Sequence, residues 1–321
     1  MIGRLLTRAW ARTRERARAG ALAPVLGLSL GLGLVLAPPA EAAPLKVIAS
    51  FSILADMVRE VGGDRVAVTP LVAPGGDAHV YQPTPSDAKA IAAADLVVVN
   101  GLGLEGWIDR LITVSGYKGP ILVASHDVAT QIVPARVGDR PAGPGMVDPH
   151  AWQNLRNGRI YFANIADALS KADPAHAADY AREARRMDGE TGSLDAWVRD
   201  QIAAIPREKR RIITSHDSFG YFGSAYGITF EAPVGLSTEG EATPAGLGKL
   251  IRQIRAEGIK ALFIESMADP RLIAQIARET GAVVGGPLYS DTLSPAGGPA
   301  DGYLKMFRYN VPIMVAAMQR N

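Results

Sequence analysis

The sequence predicts an α/β protein of two similar lobes, each a roughly four-stranded parallel sheet flanked by helices, joined by a long rigid linking helix. Three observations carry that expectation. Eight short apolar runs fall into two groups of four. Within each group, segments with helical spacing separate the runs. Between the groups lies a long stretch with a three-four apolar rhythm. Apolar runs of this length, alternating with helices, mark parallel sheets covered on both faces, because a strand buried on both sides has no polar face to show.

Residues 1–42 open with Arg4, Arg8, Arg12, Arg14, Arg16 and Arg18, set against Glu15 and Glu41. An apolar run follows and closes on Ala40-Glu41-Ala42. A positive region, an apolar core and a small-x-small site read as a secretory signal peptide cleaved near Ala42. Leu22 to Leu36 is only 15 residues with Pro24 and three glycines inside, short of the roughly 20 apolar residues that span a bilayer. Six positive and two negative charges give this segment +4 of the chain's net +2, leaving −2 for residues 43–321. That balance is not basic, and nothing in it recommends nucleic acid as a partner. Cysteine is absent, so disulfides, thiolate metal sites and thioether lipid attachment are excluded. The expectation is an exported, unanchored, monomeric protein in a periplasm.

Residues 43–172 form the expected N-terminal lobe, with LKVIASF from 45, VAVTPLV from 66, LVVVNG from 96 and ILVAS from 121. Ile53, Met57, Val58 and Val61 set a helix between the first two runs. A Gly/Pro-rich stretch, VPARVGDRPAGPGMV, ends at Val147. Residues 173–206 read as the linking helix: Asp173 can cap it, Pro174 suits its first turn and Pro206 ends it. Tyr180, Ala184, Met187, Leu194, Val198, Ile202 and Ile205 keep one face apolar. As one helix, residues 175–205 would run about 46 Å. Gly189 and Gly192, each costing about 1 kcal/mol relative to alanine, mark where it could bend or break. Residues 207–321 form the C-terminal lobe, with RIITS from 211, ITFEAPVG from 228, ALFIES from 261 and AVVGGPLYS from 282.

Four candidate ligands occupy matching places in this scheme. His79 follows the second run, His150 follows the fourth and its loop, His216 follows the fifth and Asp291 the eighth. Ligands of open parallel sheets bind beyond the carboxyl ends of the strands, and two of these residues belong to each lobe. Three imidazoles and a carboxylate suit zinc, nickel or copper better than magnesium or calcium. Pro149 fixes its own backbone and biases Asp148 toward an extended form, so His150 leaves a stiff turn.

The stretches VIASFSILADMV, GGDAHVYQPTPSDAKAIAAADLVVVNGLGLEGW, VDPHAW, ITSHDSFGYFGSAYGI and GGPLYSDTLS, taken in order, resemble the zinc- and manganese-binding solute-binding proteins of bacterial ABC transporters over residues 45–318. The resemblance implies metal ligands at His79, His150, His216 and Asp291. It implies a cleft that captures a divalent metal and delivers it to a membrane ABC permease, with a periplasmic metallochaperone as a possible further partner. Zinc importers of this kind often carry a His/Asp-rich loop, whereas residues 131–147 here contain no histidine. Manganese carriers often have glutamate where this chain has His216. That difference favours Zn2+ over Mn2+ as the transported ion.

Rival readings are weaker. GLGLEG at 101–106 matches a dinucleotide fingerprint, with Asp127 at a suitable distance, but it follows the third run instead of the first. Ser215, His216 and Asp217 are adjacent, and neighbours on an extended segment point to opposite faces, so they cannot relay a proton. A secreted zinc hydrolase is the alternative from another class, with Glu239, Glu241 or Glu265 as its base. Four protein ligands would close the position its water needs, and the expectation is a carrier and not an enzyme. His126 reads as structural and His176 as solvated in the first turn of the linking helix.

Overall fold

A computed structural model describes residues 43–133 and 145–321. The expected signal peptide and residues 134–144 of the Gly/Pro-rich stretch lie outside the described residues. Each of the eight apolar runs forms a strand. In the first lobe β1 (Leu45–Phe51), β2 (Val66–Val72), β3 (Leu96–Val99) and β4 (Ile121–Val123) make one parallel sheet in the order β2-β1-β3-β4. A second feature, not anticipated from composition, is a short antiparallel pair, β5 (Ile132–Val133) with β6 (Met146–Val147). In the second lobe β7 (Arg211–Ile213), β8 (Thr229–Glu231), β9 (Ala261–Leu262) and β10 (Val283–Val284) order as β10-β9-β7-β8. Counting each lobe's strands from its own first, the two sheets have the same order. The lobes are topological copies.

Parallel neighbours cannot be joined by a tight turn, and the crossovers are helical. In the first lobe these are α1 (Ser52–Gly62), α2 (Pro85–Ala92) and α3 (Ile108–Ser115). Two long helices follow, α4 (Leu155–Ala172) and α5 (Ala177–Ala203). The second lobe repeats the scheme with α6 (Gly220–Tyr226), α7 (Pro244–Glu257) and α8 (Pro270–Thr280), and α9 (Tyr303–Met318) closes the fold. The strands of the second lobe are shorter than their apolar runs. Beyond Leu262 the pairing continues as separate bonds, from the Phe263 N–H to the Ile213 carbonyl at 2.9 Å and from the Leu288 N–H to the Ile264 carbonyl at 2.9 Å. The chain there leaves the regular ladder to deliver Glu265 and Asp291.

The linking helix is shorter than the sequence suggests and does not break. A single 3-10 turn at Pro174–His176 precedes α5, whose 27 residues run about 40 Å. His176 sits in that turn, with its Nδ1 2.6 Å from Asp173 Oδ2. Tyr180, Met187, Thr191, Leu194, Val198 and Ile202 are buried along one face of α5, which packs on α4 and α9. That packing outweighs the propensity cost of Gly189 and Gly192.

One apolar core runs through both lobes. It joins Phe51 of β1 and Val58 of α1 to Tyr161 of α4, Leu194 of α5, Phe222 of α6 and Phe307 of α9. Phe162 meets Tyr303 across the lobes at 5.9 Å between ring centroids. Asp56 of α1 accepts the Tyr303 N–H at 2.7 Å, capping α9 from the other lobe. Gly158 makes the helix approach possible, because a Cβ there would lie 2.3 Å from the Tyr303 hydroxyl.

Beyond the backbone of their own helix turns, neither Gly189 nor Gly192 has an atom within 4 Å of the place a Cβ would occupy. Gly189→Ala and Gly192→Ala should therefore each stabilise the protein by about 0.5–1 kcal/mol. Urea unfolding should show the midpoint rising in both variants, and a fall in either would mean that α5 needs its glycines.

Candidate metal centre

The four residues singled out by sequence converge at the carboxyl ends of the two sheets. One ligand atom from each of His79, His150, His216 and Asp291 lies within 4.8 Å of the others, and all four residues are buried. His79 rides the loop between β2 and α2. His150 stands at the start of a 3-10 turn, Ala151–Gln153, ahead of α4. His216 lies just past β7, paired in a parallel bridge with Val234. Asp291 lies seven residues beyond β10.

Asp291 Oδ2 is the hub. It lies 3.3 Å from His79 Nε2, 3.6 Å from His150 Nε2 and 3.0 Å from His216 Nε2. The Nε2 atoms of His79 and His150 are 3.2 Å apart. Neither Asp291 oxygen has a hydrogen-bond partner among the described residues. His79 and His150 share a hydrogen bond, but the Asp291 oxygens and His216 Nε2, this close to their neighbours without aligned hydrogen bonds, converge on a common point more than on one another. A tetrahedral ion with ligands about 2.0–2.1 Å away has ligand–ligand edges of about 3.3–3.4 Å. The four separations of 3.0–3.6 Å bracket that value. The donor set can hold one divalent transition metal.

Two imidazoles are braced by carboxylates. Asp148 Oδ1 sits 2.8 Å from His150 Nδ1 and also accepts the His150 backbone N–H at 2.9 Å. Glu265 Oε2 lies 2.8 Å from His216 Nδ1, while Oε1 accepts the His216 N–H at 2.8 Å. Ser218 and Ser290 hydroxyls donate to the same Glu265 Oε2. A carboxylate hydrogen-bonded at Nδ1 fixes the tautomer of His150 and aims its Nε2 into the site, whereas the Glu265 approach to His216 Nδ1 is an ion-pair contact without an aligned hydrogen bond. Gly220, which opens α6, lies against Asp148, since a Cβ there would stand 2.5 Å from Oδ2. The DPHAW segment is tied to Asp291 by Trp152 and Gln153, whose side-chain N–H groups donate to the Ser290 carbonyl at 2.9 and 2.8 Å.

These contacts set the charges. Burial opposes an imidazolium at His150, yet Asp291 and Asp148 outweigh it and raise its pKa to about 9. At His216 burial acts the same way, and Glu265 and Asp291 overcome it to hold the group well above its ordinary value. For Asp291 burial works against the charge, and His150 with His216 keep it well below the usual carboxylate range.

Residues 47–317 match the family model described as ZnuA, zinc-uptake complex component A, periplasmic. The chain belongs to this family. Members are metal-binding transport proteins, and this chain is the extracytoplasmic substrate-binding component of a metal ABC importer, which works with a membrane permease and its ATPase. It is similar to the manganese-binding lipoprotein MntA of Halalkalibacterium halodurans, 31% identical over 276 residues covering 86% of this chain and 89% of that one. It is 34% identical to the iron-binding protein YfeA of Yersinia pestis, over 84% of this chain and 85% of that one. Among solved structures, the periplasmic zinc binding protein TroA from Treponema pallidum superposes with a TM-score of 0.78 at 27% identity, over 86% of this chain and 99% of that one. The three names carry three metals. No helix among the described residues is long and apolar enough to cross a membrane.

The remaining sequence candidates fall apart from the cluster. His126 is 71% exposed beside Asp127, and Glu241 is exposed. Glu239 lines a cavity of about 300 Å³ that reaches the site between Leu102, Val147 and Leu236, and His79 is the one cluster residue lining it. In GLGLEG, Gly101, Leu102 and Gly103 take positive φ, while Glu105 accepts the N–H groups of Asn100 and Gly101 at 2.6 and 3.2 Å. A buried carboxylate of the chain itself thus occupies the place a phosphate would need.

A sign follows for the metal-free protein. The pKa of His150 rises on folding from an ordinary 6.5 to about 9, so its stabilisation is full below pH 6.5 and is lost as pH climbs through 9. Urea unfolding of chelator-treated protein should show stability falling by roughly 2–3 kcal/mol across that interval. A flat or rising profile would contradict the charge assignment.

Proposed function

We propose that His79, His150, His216 and Asp291 bind one divalent metal as transported cargo and that the preferred ion is zinc. The observation that carries this reading is three Nε2 atoms converging with one carboxylate oxygen at tetrahedral spacing. Imidazole nitrogen favours zinc, and the intrinsic affinity order places zinc far above manganese. Manganese gains relatively more from carboxylate oxygens and higher coordination numbers. His216 supplies a nitrogen where a carboxylate would favour the harder ion.

Residues 1–42 serve in this reading as a cleaved export segment, and the mature chain works in the periplasm as a monomer without a lipid anchor, the latter because the sequence has no cysteine to carry a lipid. Residues 43–172 and 207–321 act as the two lobes, with 173–206 as the strut between them. Delivery is to the permease, and a metallochaperone is a possible donor. Carriage is favoured over zinc hydrolysis because four protein ligands leave no position for a reacting water. Glu265 is also spent on His216, Ser218 and Ser290 and is not free to act as a base.

Competitive titration at one pH should give one tight zinc per chain and a wide preference for zinc over manganese. His150→Ala should weaken zinc binding by at least about tenfold, since ligand-bracing partners alone are worth 10–100-fold. His216→Glu should narrow the preference by weakening zinc more than manganese. Equal affinities in the wild type, or an unchanged ratio in His216→Glu, would overturn the zinc assignment.

Proton competition provides a second check. Metal requires neutral imidazoles, so ions entering at neutral pH must displace the protons that His150 and His216 hold. Calorimetry at pH 7.5 in buffers of differing ionisation enthalpy should show about one to two protons released per metal, with affinity still rising toward pH 9. Zero protons released would count against these ligands.

A further inference from the structure

The cluster histidines are not braced alike. His150 and His216 each have a carboxylate at Nδ1. Among the described residues, no carboxylate stands at Nδ1 of His79. His79 is held through its backbone, whose N–H donates to Asp77 Oδ1 at 2.9 Å. The other oxygen of that carboxylate, Asp77 Oδ2, accepts the Thr238 hydroxyl at 2.7 Å. Thr238 belongs to the opposite lobe, on the loop between β8 and α7. One carboxylate therefore holds a cluster residue with one oxygen and the far wall of the cleft with the other.

The same segment bounds the way in. The cavity of about 300 Å³ that reaches His79 is walled on the C-terminal side by Leu236, Ser237 and Glu239, which flank Thr238. His150, His216 and Asp291 are all but fully buried behind it, whereas His79 lines it. Moving residues 236–239 away would widen the cavity and at once remove the outer anchor of Asp77. Opening the route and loosening His79 are then one event.

We infer that the Asp77–Thr238 hydrogen bond is a cross-cleft clasp that positions His79 and sets the rate at which metal enters and leaves. This rests on the reading of the four residues as metal ligands. The clasp acts on exchange more than on affinity, because its rupture speeds capture and release together. Thr238 touches no cluster residue directly. It is a positioning residue acting through Asp77.

The test is stopped-flow zinc transfer to and from a fluorescent chelator, with wild type, Thr238→Val and Thr238→Ser. Loss of a hydrogen bond to a charged group should raise the release rate in Thr238→Val by about tenfold. Association should also speed up, so that the dissociation constant changes by less than the release rate. Thr238→Ser keeps the hydroxyl and should restore the wild-type rates. The thermal midpoint of the metal-free protein should match across all three, which separates a clasp from a general loss of structure. Wild-type release from Thr238→Val, or fast release from Thr238→Ser as well, overturns the clasp while leaving the ligand assignment intact. A wild type that takes up no zinc overturns both.

Discussion

A single buried carboxylate, Asp291, organises the rest of the molecule. It is fully enclosed and faces three imidazoles from three separate segments. An isolated ion in such a place would cost several kcal/mol or more, and only partners of opposite charge or a metal make it tenable. The surrounding structure can be understood as the means of keeping those partners within reach. Trp152 and Gln153 tether the Asp291 segment to the His150 segment, and Glu265 ties His216 to Ser290. These braces lie outside the converging atoms themselves.

Much of this was legible in the sequence. All eight strands of the two parallel sheets lie within the apolar runs, and the central β1 and β3, buried along almost their whole length, are the clearest because a strand covered on both faces has little polar face to show. The four cluster residues follow from their places after strands, where parallel sheets put their ligands. Two bracing aspartates carry a signal that can also be read: Asp77-Ala78-His79 and Asp148-Pro149-His150 share one spacing. In both, the aspartate accepts the histidine N–H at 2.9 Å. This local turn chemistry depends on a two-residue offset, and chain order shows it.

What stayed hidden depends on distance through space. Glu265 stands 49 residues from His216, and Thr238 stands 161 from Asp77. No spacing rule links them, and Glu239 and Glu241 resembled Glu265 as acidic residues after strands. The limits of α5 were obscured for a different reason. Propensity places a weak point at Gly189 and Gly192, while burial against α4 and α9 keeps the helix unbroken through them. Tertiary packing decided what local preference left open.

A carrier must let its cargo go, and the core limits how. Rotating the lobes apart as rigid bodies would unpack the rings that cross between them, Trp152, Phe162 and Tyr303 among them. Buried aromatics cover about 150–250 Å² each. Exposing even half the area of three such rings, at about 25 cal/mol per Å², costs roughly 6–9 kcal/mol before any hydrogen bond is counted. That is comparable to the whole stability of an ordinary domain. Shifting a loop that carries a few half-buried side chains costs far less. Motion should therefore concentrate in residues 236–239, which lie outside that core, and reach His79 through Asp77, because Ala78 beside it is itself a core residue. The continuous core keeps three cluster residues in register while the fourth can yield, so release can proceed without dismantling the fold that made capture possible.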